Sequence, residues 1–273
     1  MITRYGATRD ELQNLLSTEP RYRVDQVWKG LYTELNAPED MTALPKALRA
    51  QLSEGLPNSL MLIDEVISDD DTTIKFLWQL DGGSRIETVL MIYPDRATVC
   101  VSTQAGCAMA CGFCATGQAG FTRHLTAGEI IEQVVRASQR AKGMDRRVSN
   151  VVYMGMGEPL ANEAAVWGAV ERLHADIGLS ARNLTISTVG IVPGIRTLAD
   201  RPLPVNLAVS LHAARDSLRD ELVPINKRYP LADLVQACAD YLLKKNRRVS
   251  FEWAMIDGIN DQPQDARELA RLC

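Results

Sequence analysis

The sequence is poor in aromatics, at 5% of 273 residues, and holds three histidines and six cysteines. So sparse a cysteine content excludes a secreted disulfide scaffold, which would be small and cysteine-dense. A basic excess is missing too: 30 Lys and Arg stand against 34 Asp and Glu, for a net charge of −4. Nucleic-acid-binding domains ordinarily carry a basic surplus, so composition lends no support to an RNA partner. The short clusters Arg146-Arg147, Lys227-Arg228 and Lys244-Lys245 with Arg247-Arg248 read as solvated surface. No apolar run approaches the roughly 18 residues of a membrane span, and no apolar signal core lies between Met1 and Arg9. A cytoplasmic protein without membrane contact is expected. What is present, 46% hydrophobic and 23% charged residues, is ordinary globular composition. The length fits one large domain, or a large one with a small one.

Residues 1–60 read as short helices, with Val24, Val27, Trp28 and Leu31 on one face. Strands follow, at Thr73 to Trp78, Ile86 to Tyr93 and Ala97 to Thr103, the first two joined by an Asp81-Gly82-Gly83 turn. Beyond Thr126, which with Glu129 forms a capping box, helices and strands alternate. Strands are predicted at Asn150 to Met154, Leu184 to Thr188, Val205 to Leu211 and Val249 to Met255. Helices are predicted at Ala161 to Ile177, Pro193 to Ala199, Ser217 to Leu222, Leu231 to Lys245 and Gln264 to Leu272. Such alternation implies an α/β protein with parallel strands and crossover helices. A doubly wound sheet and a partial barrel both fit.

The sharpest chemical signal is Cys107-Ala108-Met109-Ala110-Cys111-Gly112-Phe113-Cys114. Four thiolates would close a tetrahedral zinc or saturate an iron–sulfur cubane. Three leave one iron open to a substrate or cofactor. A zinc site completed by His124, or three reduced core cysteines, are the alternatives. Downstream, Met154-Gly155-Met156-Gly157-Glu158-Pro159 ends one strand, Ser187 lies near the end of the next, and Ser210-Leu211-His212 ends the one after. Polar groups at successive strand ends converge on the face where α/β ligand sites form. Taken singly, each serine could be a helix cap and His212 a satisfied structural histidine.

The cysteine spacing, with an aromatic residue before the last cysteine, resembles the radical S-adenosylmethionine enzymes. Together with Arg85 to Val89, Asp95 to Ser102, Gly120 to Arg123 and Val223 to Lys227, it resembles the RlmN/Cfr family of RNA adenine methyltransferases. Gly157-Glu158-Pro159 is similar to the RlmN branch, which methylates carbon 2 of adenine. The resemblance implies a partial (βα)6-type radical SAM barrel over residues 97–273, a β extension over 61–96 and a helical accessory domain over 1–60. It implies that Cys107, Cys111 and Cys114 hold a 4Fe–4S cluster. It implies that Gly157, Glu158, Ser187, Ser210, Leu211 and His212 contact S-adenosyl-L-methionine. Glu87 corresponds to the proton acceptor, though as a residue it reads equally as an outward strand carboxylate beside Arg85. Cys100 corresponds to the cysteine that pairs transiently with a methyl-carrying cysteine, though as a residue it reads as a buried strand position. The implied partners are 23S rRNA and tRNA, with a flavodoxin-like electron donor, and the implied state is a monomer.

The implied reaction uses two molecules of S-adenosylmethionine and an S-methylcysteine, because carbon 2 of adenine is too electron-poor for polar methyl transfer. The resemblance places the methyl-carrying cysteine beyond residue 273. Cys238 reads as helix packing, and Cys273 lacks the surrounding motif. On this reading the chain is a fragment lacking the last barrel strand. The alternatives are another radical S-adenosylmethionine enzyme, or a non-catalytic iron–sulfur or metal-binding module.

Overall fold

A computed structural model describes residues 2–272, so Cys273 lies outside the described residues. In chain order the elements are α1 (Arg9–Leu15), α2 (Tyr22–Tyr32), α3 (Lys46–Gly55), β1 (Leu60–Ile67), β2 (Thr73–Leu80), β3 (Arg85–Ile92), β4 (Ala97–Cys100), β5 (Gln104–Gly106) and α4 (Ala115–Gln118). Then come β6 (Phe121–His124), α5 (Ala127–Lys142), β7 (Val148–Tyr153), α6 (Glu163–Ala175), β8 (Leu184–Thr188), α7 (Val192–Asp200), β9 (Asn206–Ser210), α8 (Asp216–Leu222), α9 (Leu231–Lys245), β10 (Val249–Glu252) and α10 (Pro263–Leu272). The chain falls into two compact units, each assembled from three stretches.

The first unit comprises Met1–Val101, Leu125–Val151 and Ala164–Ser180. Its strands β1 to β4 pair antiparallel in sequence order. Alternation builds β2: Ile74, Phe76, Trp78 and Leu80 are buried, while Lys75 is exposed. Gly82 and Gly83 turn the hairpin at φ 83° and 85°, a region open to glycine. Helix α5 starts at the Thr126–Glu129 capping box and packs on this sheet. Its buried polar groups are matched. Trp78 donates to Thr88 Oγ1 at 2.9 Å, and Thr88 donates to Gln133 at 2.9 Å. The Glu132 carboxylate accepts from the Ser59 and Leu60 amides where β1 begins.

The second unit comprises Ser102–His124, Val152–Glu163 and Ala181–Cys273. Strands β8, β9 and β10 run parallel, with Ser187 opposite Ala208 and Ser210 opposite Glu252. Crossover helices α7 and α9 pack together, and Tyr241 of α9 donates to the Val205 carbonyl at 2.7 Å. The expected α/β architecture with parallel strands is therefore present, and β8 and α9 have the bounds read from the sequence.

Three differences have local causes. Strand β4 stops at Cys100 rather than Thr103, because the amides of Thr103 and Gln104 turn to the Met156 carbonyl. Strand β10 stops at Glu252, because the Ala254 amide is taken by His212. Strands β5 and β6, unforeseen, pair across the cysteine loop.

Candidate active site

Every residue of the candidate site built here belongs to the second unit. The cysteine loop is clamped at its base by β5 and β6, and the Cys107 amide donates to the Gly120 carbonyl at 2.9 Å. Gly106 is required at that clamp: it has φ 76°, and a Cβ there would lie 2.0 Å from the Gly120 carbonyl oxygen. Within the loop, the Cys114 amide donates to the Cys111 carbonyl and the Gly112 amide to Leu222. Cys111 is buried against Ala213, Leu222 and Val223, with Met109 and Cys114 packed beside it.

Cys107, Cys111 and Cys114 line one cavity of about 350 Å³, together with Phe113, Gly157, Glu158, Ser187, Ser210, His212 and Glu252. Strands that start far apart in sequence thus bring most of the predicted residues to one place. Leu211 is buried outside the lining. Its amide donates to the Glu252 carbonyl and its carbonyl accepts from Arg219.

The glycine-rich turn is docked on residues 102–104. The Met156 carbonyl accepts from the Thr103 and Gln104 amides, and the Glu158 amide donates to the Gln104 side chain at 2.8 Å. At Gly157, φ is 101° and a Cβ would come within 2.6 Å of the Gln104 Cβ. The Glu158 carboxylate is buried. One oxygen accepts from the Leu160 amide at 3.0 Å, the other from the Val189 amide at 2.8 Å. Burial outweighs these bonds and pushes its pKa up to about 7.

His212 sits in the left-handed region at φ 59°. Its Nδ1 accepts from the Ala254 amide at 3.0 Å, which leaves the proton on Nε2. Its ring meets Phe113 edge-on, with centroids 4.5 Å apart. Burial, with Arg219 adding to it, lowers its pKa to about 4, so the ring is neutral at pH 7.

His124 does not complete a zinc site. It is hydrogen-bonded to Gln104 at 3.0 Å and is not among the residues lining the cavity. Among the described residues, no three His, Cys, Asp or Glu groups are arranged around a single metal ion. The same three thiols suit a larger group: they line one cavity, and an apolar shell surrounds Cys111. A cluster several ångströms across takes its thiolates at wider spacing than one ion does. Burial pushes the thiol of Cys111 up to about 12 and raises that of Cys107, so binding iron there must displace protons.

Glu87 and Cys100 lie in the first unit. Glu87, paired with Leu77 in the β2–β3 ladder, forms a diagonal ion pair with Lys75 at 3.0 Å rather than with Arg85. Cys100 ends β4 opposite Val89 and is half-buried. Among the described residues there is no disulfide.

Sequence reasoning passed over Arg219, which is fully buried. Its guanidinium donates to Leu211 O at 3.0 Å, Asn226 Oδ1 at 2.8 Å, Val189 O at 2.6 Å and Ser210 O at 3.2 Å. Asn226 in turn donates to Asp216 and Asp220. One side chain thereby ties together the ends of β8 and β9. Glu252 was also passed over, although it continues the series of polar strand ends begun by Ser187 and Ser210.

The profile of the Radical SAM superfamily matches residues 101–272. A probable dual-specificity RNA methyltransferase RlmN from Chloroflexus aurantiacus is 53% identical over 98% of this chain and 74% of its own length. The chain belongs to the RlmN family of the radical SAM superfamily. A second relative of the same description, from Salinispora tropica, is 51% identical over 93% of this chain and 71% of its own. The crystal structure of a radical SAM methyltransferase from Sphaerobacter thermophilus superimposes with a TM-score of 0.94. It is 49% identical and covers 100% of this chain and 82% of that one.

Proposed function

We propose that this chain is a radical S-adenosylmethionine RNA methyltransferase acting on carbon 2 of an adenosine in 23S rRNA and in tRNA. The observation that carries the reading is the single cavity lined by Cys107, Cys111, Cys114, Glu158, Ser187, Ser210 and His212. Relatives at half identity that bear the RNA methyltransferase name support it. Cys107, Cys111 and Cys114 would hold a 4Fe–4S cluster, which supplies an open iron for S-adenosylmethionine and the electron that cleaves it.

The remaining roles fall to protein groups. Glu158, which accepts from the Leu160 and Val189 amides and from the Thr188 side chain, keeps one lone pair for the cofactor ammonium. Ser187 and Ser210 offer hydroxyl donors, and the Nε2–H of neutral His212 offers another. Gly157 lets the backbone approach without a Cβ, and Leu211 positions the end of β9 through its backbone bonds to Glu252 and Arg219. Glu87 serves as proton acceptor and Cys100 as the thiol that resolves the protein–RNA adduct. The route consumes two molecules of S-adenosylmethionine and passes through an S-methylcysteine. The same reading has the chain act as a monomer in the cytoplasm, fed by a flavodoxin-like donor.

The test is nucleoside analysis of RNA incubated with reconstituted protein, reductant and S-adenosylmethionine. 2-Methyladenosine is expected. 8-Methyladenosine would move the chain to the other branch. 5′-Deoxyadenosine without any methylated RNA would show that this chain alone does not complete the reaction.

A further inference from the structure

Glu252 is the one acidic side chain besides Glu158 among the residues lining the cavity. The two differ sharply. Glu158 is buried and spends a lone pair of each oxygen on a backbone amide. Glu252 is exposed at the end of β10, and no hydrogen bond or ion pair engages its carboxylate among the described residues. Only its backbone carbonyl is committed, to the Leu211 amide at 3.0 Å.

Its register fixes what it stands beside. Glu252 pairs with Ser210 across the parallel β9–β10 ladder. Adjacent strands are about 4.8 Å apart and paired residues share a face, so a carboxylate and a hydroxyl stand side by side at the strand ends. A ligand there meets two acceptor oxygens with a donor next to them. Vicinal hydroxyls match a carboxylate, one to each oxygen. An acidic residue near a strand end holds ribose hydroxyls in the dinucleotide-binding folds by the same logic. The cofactor's carboxylate is repelled from this position. Its ammonium already has Glu158 as a partner.

We propose that Glu252 binds the ribose of S-adenosylmethionine, its carboxylate accepting from the 2′- and 3′-hydroxyls beside Ser210. This rests on the reading of the cavity as the S-adenosylmethionine site. Glu252 is then a binding residue that fixes the nucleoside half of the cofactor and discriminates against deoxyribosyl analogues.

The experiment is anaerobic calorimetry on iron-reconstituted wild-type and Glu252→Ala protein. The ligands are S-adenosylhomocysteine and its 2′,3′-dideoxyribosyl analogue. Glu252→Ala should weaken S-adenosylhomocysteine by about ten- to a hundredfold, the range for hydrogen bonds to a charged group. It should leave the dideoxy analogue within about twofold, and Glu252→Gln should fall between. Equal losses for both ligands would place the contact on the base or on charge and overturn the proposal. No loss for either would overturn it as well. Wild-type protein that binds neither ligand would instead overturn the reading of the cavity.

Discussion

Arg219 donates to the Val189 carbonyl at 2.6 Å, although Val189 follows β8 and Arg219 lies on α8, thirty residues later. The same side chain reaches Ser210 and Leu211 at the end of β9. The strand ends that carry Ser187, Ser210 and His212 are therefore held by one buried cation. Burial lowers its pKa to about 10, which still leaves it charged at neutral pH.

Arg219→Ala would remove a donor from three backbone carbonyls and from Asn226 and open a void. Losing one partner of a buried charged network costs about 3–5 kcal/mol. Arg219→Lys, a point charge without the planar fork, should recover part of that. Urea unfolding measures both, and unchanged midpoints would show that the strand ends do not depend on Arg219.

Gly157→Ala should act on the cofactor side. The positive φ and the 2.6 Å approach to Gln104 mean that the turn must shift. Strain at such a position costs about 1–3 kcal/mol. Binding of S-adenosylhomocysteine should weaken about tenfold or more while iron uptake stays at the wild-type level. Unchanged affinity would separate the turn from the cofactor.

The pH dependence of stability has two opposed contributions. The pKa of Glu158 rises from 4.5 to about 7 on folding, so its contribution is complete below 4.5 and is lost as pH rises through about 7. The pKa of His212 falls from 6.5 to about 4, so its contribution is present above 6.5 and is lost as pH falls through about 4. Between about 4.5 and 6.5 the two slopes offset each other. Glu158→Gln removes the falling one, so the variant should gain stability relative to wild type as pH rises from 4.5 to 7. A difference flat with pH would contradict the raised pKa.

Glu87→Gln should leave the fold and the cofactor site alone. Its half-exposed ion pair with Lys75 is worth about 0–1 kcal/mol. Iron content and S-adenosylhomocysteine binding are expected at wild-type levels. RNA methylation should fall by about 10²–10⁴, the range for loss of a general base. Undiminished methylation would remove Glu87 from proton transfer.

The parts of this architecture that were legible in the sequence are those governed by local pattern. Helix α9 and strand β8 show in their hydrophobic periodicity, and the capping box at Thr126 marks the start of α5. The cysteine spacing and the glycine-rich turn identify the cavity because their chemistry is tied to short motifs. Arg219 was hidden, since in Asp216-Ser217-Leu218-Arg219-Asp220-Glu221 a charged residue looks solvated and only tertiary contact buries it. Strands β5 and β6 were hidden because each is too short to show a period and they pair across the whole cysteine loop. The early end of β10 depends on His212 capturing the Ala254 amide, a contact between residues 42 positions apart.

The central claim is that Cys107, Cys111 and Cys114 hold a cluster with one open iron facing the S-adenosylmethionine site. The most direct measurement is anaerobic reconstitution with iron and sulfide, followed by iron counting and paramagnetic resonance of the reduced protein with and without S-adenosylmethionine. The account predicts about four irons per chain, a reduced-cluster signal that shifts on adding S-adenosylmethionine, and loss of both in Cys111→Ala. Stoichiometric zinc, or a cluster signal indifferent to S-adenosylmethionine, would contradict it.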